Sequence, residues 1–234
     1  MLRTVTVEDF SQPVLPGEGA SDYERYLRTD ELLALQKTPE EWIHRDELLF
    51  QTVHQSSELW IKLACAEVAE AAEQVGAGEL ATAARLLRRA ALSIAFVTRQ
   101  LDMLEQLSPW EYQTIRRVLG HGSGFDSPGF RQIRRVSPPL WDAFCAAGLD
   151  PVEVYRSGGE AEIQLAEGLV EWDEAIAVWR VKHYQTVARI IGDSVVGTQG
   201  TPVEVLGRLI GKRLYPELWQ ARNRLTALAK EEEG

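Results

Sequence analysis

The sequence predicts an all-α fold built from long helices, and three observations carry that prediction. Residues 46–63 contain no Pro or Gly, and within them Leu49, Val53, Trp60 and Leu63 recur at near-helical spacing. Across residues 160–191, Leu169, Trp172, Ile176, Trp179, His183, Val187 and Ile190 follow one another at three- and four-residue steps. No stretch alternates apolar and polar residues in the manner of a half-buried strand, and no internal repeat is present.

Residues 1–20 include Pro13, Pro16, Gly17 and Gly19 and read as a mobile N-terminal arm, which leaves residues 21–234 as a single all-α domain. Residues 23–36 form a short element with Tyr23 and Tyr26 three apart, placed to pack on a neighbouring helix. Thr38-Pro-Glu-Glu41 has the form of a capping box with Pro at the first helical position. It starts the first long helix or a turn leading into it, with Asp46 as a second candidate start. That helix runs on through residues 67–74 and stops near Gly76 and Gly78. Residues 79–107 give a second long amphipathic helix with Arg85, Arg88, Arg89 and Arg99 on its solvated face. Ser108-Pro-Trp-Glu111 repeats the capping signature and opens a helix to about Leu119, ended by Gly120.

Residues 120–129, Gly-His-Gly-Ser-Gly-Phe-Asp-Ser-Pro-Gly, are the most irregular stretch. No strand precedes them, so they are not a dinucleotide fingerprint; close approach of backbone to a ligand is the better use of so many glycines. Ser137-Pro-Pro then reads as the start of a short helix closed near Gly148. After the long helix of residues 160–191, glycines break the chain at 192–200. Pro202 starts the last helical region, which Pro216 interrupts before a charged tail.

A chain of 234 residues, 45% apolar with seven Trp, can bury a sizeable core. A net charge of −10 argues against nucleic acid or an anionic membrane as partner and points to a small molecule or a protein. Cys65 and Cys145 are too few for a disulfide framework or a structural zinc site, which suits a reducing cytoplasm. Neither a leader-like apolar region nor a run of 18 apolar residues appears, so nothing in the composition directs the chain through a membrane.

Of the four histidines, His44, His54, His121 and His183, two lie on apolar faces of different long helices. Each of these two reads either as a hydrogen-bonded core histidine or as a working group: His54 as a distal base or donor, His183 as an axial ligand to haem iron. Phe50 lies one turn from His54, which sets a phenyl ring beside the imidazole. Tyr112 and Arg116 are four apart, a phenol beside a guanidinium that serves either a surface ion pair or a substrate carboxylate. A di-iron carboxylate bundle needs two Glu-x-x-His pairs, and only Glu41-x-x-His44 occurs. His-Glu-x-x-His, a Gly-x-Ser-x-Gly elbow and a P-loop are all absent.

Five blocks together resemble the tryptophan 2,3-dioxygenase family of haem proteins. They are Tyr23-x-x-Tyr26-Leu27; Asp46-Glu-Leu-Leu-Phe50-x-x-x-His54-Gln-x-x-Glu58-Leu-Trp-x-Lys-Leu63; Tyr112-x-x-x-Arg116; Ser123-Gly-Phe-x-Ser-x-x-Phe-Arg131; and Trp179-Arg-x-x-His183-x-x-Thr-Val-x-Arg-Ile-Ile-Gly192 followed by Gly197-Thr198. The resemblance implies a helical bundle of the tryptophan/indoleamine 2,3-dioxygenase-like type, binding haem b between long helices, with dioxygen as co-substrate. It implies that His183 is the proximal iron ligand and that His54 meets the indole N–H from the distal side. Phe50 would pack on the indole, Arg116 would bind the amino-acid carboxylate with Tyr112 beside it, and Thr198 with a haem propionate would hold the ammonium group. Ser123 and Trp179 would line the haem pocket. Tyr23, Tyr26 and Leu27 would complete the site of a neighbouring subunit in a homotetramer or homodimer.

The implied reaction opens the indole C2–C3 bond of L-tryptophan to give N-formylkynurenine, as in the kynurenine pathway. Against the typical family pattern, the segment between Phe125 and His183 is much shorter, which removes much of the small helical subdomain over the site. The Gly197-Thr-Gln-Gly200 loop also carries one extra residue before it. Two alternatives therefore stay open: mono-oxygenation of a substituted tryptophan, such as β-methyltryptophan, to an oxindole, and a haem or indole sensor without turnover.

Overall fold

The computed structural model describes residues 12–232, which form ten α-helices joined by turns. The only β-type pairing among the described residues is a single bridge between Val196 and Pro202. Much of the expected mobile arm, residues 1–11, lies outside the described residues. Residues 12–20 are irregular but tied down: the Asp22 carboxylate accepts from the Val14 and Leu15 amides, and Arg25 donates to the Leu15 and Gly19 carbonyls.

Two short helices follow, α1 (Asp22–Leu27) and α2 (Thr29–Leu33). The Thr38 capping box closes a 3-10 turn at Pro39–Glu41 rather than the long helix. That helix, α3, spans Glu47–Gly76, and its first turn is held by the buried carboxylate of Glu47, which accepts from Ile43 N, His44 N and Lys37 Nζ. Then come α4 (Leu80–Leu104), α5 (Pro109–Arg116), α6 (Pro128–Ala146), α7 (Pro151–Ser157), α8 (Glu160–Ile191), α9 (Glu204–Leu209) and α10 (Pro216–Glu232).

The long helices set the architecture. α4 packs along both α3 and α8, and α6 lies against the other side of α3, whereas α3 and α8 barely touch each other. Ile61, Ala64, Val68, Leu87, Ile94, Leu140, Phe144, Leu165, Leu169 and Trp172 are all fully buried in the main core these helices share. A smaller apolar cluster, centred on Val53, Leu101, Leu104, Ile115 and Ile190, fills the other end of the bundle beneath α5.

The buried stripe of α3 differs from the expected one. Val53, Ile61, Ala64, Cys65 and Val68 face inward, while Trp60 and Leu63 remain on the surface, where Trp60 packs on Phe96 with ring centroids 4.9 Å apart. Both stripes have helical spacing, so periodicity alone does not choose between them. On α4, Arg85, Arg88, Arg89 and Arg99 are exposed as expected, and Arg89 reaches Glu67 at 2.8 Å.

One helix start is corrected. Ser137-Pro138-Pro139 does not open a helix but lies inside α6, which begins at the other Ser-Pro, Ser127-Pro128. The backbone bonds that Pro138 and Pro139 cannot make fall on the exposed face of the helix, beside Arg134 and Arg135. On the inner face the Ser137 hydroxyl bonds to the Ile133 carbonyl and accepts the buried Trp172 Nε1–H. Helix α7, not foreseen, is capped by Asp150, whose carboxylate accepts from Val152 N and Glu153 N.

Candidate active site

Where α3 and α8 diverge, each presents a histidine towards the gap. On α3, Phe50, His54 and Glu58 succeed one another at four-residue steps on one face. His54 Nδ1 lies 2.7 Å from the Phe50 carbonyl, which can only accept, so Nδ1 carries the proton and the Nε2 lone pair is left free. The Phe50 ring stacks beside His54 at 4.1 Å and approaches Tyr112 of α5 at 6.1 Å. His54 keeps part of its surface in solvent, yet the protein around it removes enough water to push its pKa below the ordinary histidine range. It is therefore a neutral acceptor near pH 7.

Trp179 and His183 of α8 continue an aromatic stack that begins at Phe130 of α6, with centroids 3.8 Å apart for the first pair and 4.7 Å for the second. Burial, and then the facing charge of His54, lower the pKa of His183 to about 4. The two imidazoles are thus electrostatic neighbours although their helices do not pack together. Neither ring nitrogen of His183 has a hydrogen-bond partner among the described residues, and a Cβ on Gly124 would stand 4.0 Å from His183 Nε2. The glycine-rich loop therefore brings bare backbone up to that nitrogen. The Trp179 indole N–H is also buried without an acceptor. Beside this stack, Lys182 holds α8 to the end of α4 through Asp102 and Glu105, both at 2.7 Å, and Thr186 adds a bond to Glu105.

Two loops and α5 form the polar rim. Arg116 donates from Nη2 to the Val196 carbonyl at 3.0 Å and keeps its other donors available. Its positive charge opposes the rise in the pKa of Tyr112 that burial causes. Ser123 and Asp126 cap a 3-10 turn reciprocally. Across from that turn, Thr198 donates to the Gly122 carbonyl at 2.6 Å, and Gln199 Nε2 donates to His121 O and Asp126 Oδ2. The Thr198 oxygen can still accept a further hydrogen bond. The 195–203 loop is itself closed by Gly197 N to Thr201 O and Val203 N to Val195 O, with Gly200 at φ +75° taking the turn that an L side chain resists.

The structure thus links Phe50, His54, Tyr112, Arg116, Ser123, Thr198, Trp179 and His183 through a connected set of contacts. It does not bring Tyr23, Tyr26 and Leu27 into that set: among the described helices α1 packs chiefly on α2, and these three residues are 68%, 78% and 45% exposed. A half-open hollow of about 90 Å³, lined in part by Glu47, Phe50, Ile115 and Leu119, has room for only a few waters.

A sequence profile described as tryptophan 2,3-dioxygenase matches residues 8–136, more than half of the chain. The tryptophan 2,3-dioxygenase of Caulobacter vibrioides is 33% identical over 87% of this chain and 98% of its own length. The chain belongs to the tryptophan 2,3-dioxygenase family. Among its relatives of that name, the Myxococcus xanthus protein is 31% identical over 89% of this chain and 91% of its own length. The Bacillus thuringiensis strain Al Hakam protein is 30% identical over 87% and 92%. The 260 positions aligned with the Caulobacter relative exceed the 234 residues available here, so this member lacks stretches that the relative has. It is an enzyme of the tryptophan 2,3-dioxygenase type, all-helical, and none of its described helices is long and apolar enough to cross a membrane.

Sequence reasoning left four contributors without a role. Phe130 and Gly124 stand in the quoted blocks, but their contacts with Trp179 and with His183 depend on the fold. Gln199 had no signal. Glu58 stands in the His54 block, one turn from His54, and that spacing could have singled it out.

Proposed function

We propose that this protein is a haem-dependent dioxygenase that inserts both atoms of dioxygen across the indole C2–C3 bond of L-tryptophan to give N-formylkynurenine. The observation that carries the proposal is the pair of neutral imidazoles on separate helices, each with a nitrogen free towards the same gap.

The residues present fit a haem. His183 is neutral, unbonded and backed by a flat aromatic stack, and Gly124 presents only bare backbone near its Nε2. The unpartnered Trp179 N–H marks the same wall as built for something other than protein. His183 would hold the iron, with Ser123 and Trp179 lining the pocket. Bound ferrous haem supplies the activation of dioxygen that side chains cannot.

The chain's own residues orient the substrate. A zwitterion entering an apolar cleft must have both charges met, since an unpaired desolvated charge costs several kcal/mol, order of magnitude. Arg116 meets the carboxylate with its free donors, Tyr112 stands beside it, and the Thr198 oxygen accepts from the ammonium. Phe50 supplies the wall for the indole ring, and the free Nε2 of His54 accepts the indole N–H, which fixes the reacting edge of the ring. Tyr23, Tyr26 and Leu27, exposed on α1 away from their own cleft, complete the site of another copy in a homodimer or homotetramer.

The gaps against the full-length relative favour one alternative, a less covered site that transfers a single oxygen atom to a substituted tryptophan. Product mass separates the two. Haem-loaded, reduced protein given L-tryptophan in air is expected to add two oxygen atoms. A gain of one atom supports the oxindole-forming reading, and no product from tryptophan or its substituted forms leaves a sensor.

A further inference from the structure

Glu58 is the one carboxylate on the His54 face of α3 whose oxygens reach across the site. Its Oε1 accepts from the Ser127 hydroxyl at 2.5 Å, and its Oε2 accepts from the Gly129 amide at 2.9 Å. Ser127 in turn caps α6 by accepting from Phe130 N. The approach is close enough that a Cβ on Gly129 would lie 2.7 Å from both Glu58 Oε2 and Ile61 Cγ2, so only glycine fits there without displacement.

These bonds begin a continuous chain of contacts. Ser127 N donates to Gly124 O, and Gly124 faces His183. Asp126, next to Ser127, receives the Ser123 amide and the Gln199 side chain. Gln199 and Thr198 join the 120–127 loop to the 195–203 loop, whose Val196 carbonyl receives Arg116.

We infer that Glu58 is a positioning residue that fixes the distal helix against both substrate-facing loops, so that His54 stands in register with Arg116 and Thr198. It touches neither substrate nor cofactor in this role. An acidic residue suits it because the two donors, a hydroxyl and a backbone amide, converge from one side, and a carboxylate offers a separate oxygen to each. His54 sits one turn away on the same rigid helix, so a shift of the loops relative to Glu58 is a shift relative to His54. The consequence for turnover rests on the tryptophan reading above; the consequence for the loops does not.

The test compares Glu58→Ala and Glu58→Gln in haem-loaded protein by amide hydrogen exchange and by steady-state kinetics with L-tryptophan. Glutamine can still accept from Gly129 N and donate to Ser127 Oγ, so it is the rescue. In the alanine variant, exchange should quicken roughly tenfold or more in residues 122–130 and also in 196–201, the size expected when a charge-assisted hydrogen bond is lost. The KM for L-tryptophan should rise by a similar factor with a smaller change in kcat, and glutamine should restore most of both.

Faster exchange confined to residues 127–130 would reduce Glu58 to a helix cap and overturn the inference, as would unchanged exchange. If the alanine variant does not fold, Ser127→Ala severs one of the two bonds and should produce the same two-loop pattern. Wild-type protein that does not turn over tryptophan would count against the proposed function, while the exchange pattern would still decide the role of Glu58.

Discussion

The half of the bundle around Trp172 and the half around His183 are built on the same helices, α3, α4 and α8, yet they treat polar groups in opposite ways. Around Trp172, the buried Asp173 carboxylate accepts from Leu214 N, Tyr215 N and Trp219 Nε1, and Trp172 Nε1 donates to Ser137 Oγ. Even Glu67, with one oxygen unmatched, has its other oxygen on Arg89. Around His183, the Trp179 indole N–H is buried without an acceptor, and the half-buried His183 has no hydrogen-bond partner among the described residues. Buried polar groups are normally paired, so the first half reads as structure and the second as a site prepared for a ligand.

The contrast breaks most visibly at Asp173. Asp173→Ala should cost about 3–5 kcal/mol, because three donors lose their acceptor in an apolar setting. Urea denaturation checks this, and the variant's haem content per folded molecule should stay near that of the wild type.

Acid sharpens the contrast next. The fold lowers the pKa of His183 from 6.5 to about 4, so between those values the unfolded chain binds the extra proton more readily than the fold does. The haem-free protein should keep its full stability above pH 6.5 and lose about 2–3 kcal/mol as the pH falls to 4, a loss His183→Ala should largely remove.

A substrate contact should move kinetics without moving stability. Arg116→Ala should raise the KM for L-tryptophan by about 10- to 150-fold, equivalent to about 1.5–3 kcal/mol, with little change in the denaturation midpoint. The smallest effect pairs two tryptophans. In haem-free protein, Trp179→Phe should change stability by less than about 1 kcal/mol, since its N–H has no partner to lose, whereas Trp172→Phe should cost about 2 kcal/mol.

The sequence made the framework legible where a local rule suffices. α8 follows from apolar spacing to the residue and α4 within three residues of its ends, and in the run of glycines at 120–129 the backbone does come close to its neighbours, Gly124 to His183 and Gly129 to Glu58 and Ile61. Failures came where a distant contact decided between equal local signals. Two Ser-Pro pairs compete as the start of α6. The choice of Ser127 over Ser137 rests on Glu58, 69 residues away in sequence, and on Trp172, which claims the Ser137 hydroxyl. For the same reason Trp60 could not be told from a core residue, since nothing local says that Ile61 takes the inner face. The family blocks named the candidate site residues, but the tautomer of His54 and the unbonded nitrogens of His183 are visible only in the fold.

The central claim is that the free nitrogen of His183 is for iron and the free nitrogen of His54 is for substrate. Haem titration with absorption and electron paramagnetic resonance spectra of the wild type, His183→Ala and His54→Ala tests it most directly. The account predicts one haem per chain bound through a single histidine, lost in His183→Ala and retained in His54→Ala with weakened tryptophan turnover. Haem retained with an unchanged spectrum in His183→Ala, or lost only in His54→Ala, would contradict it.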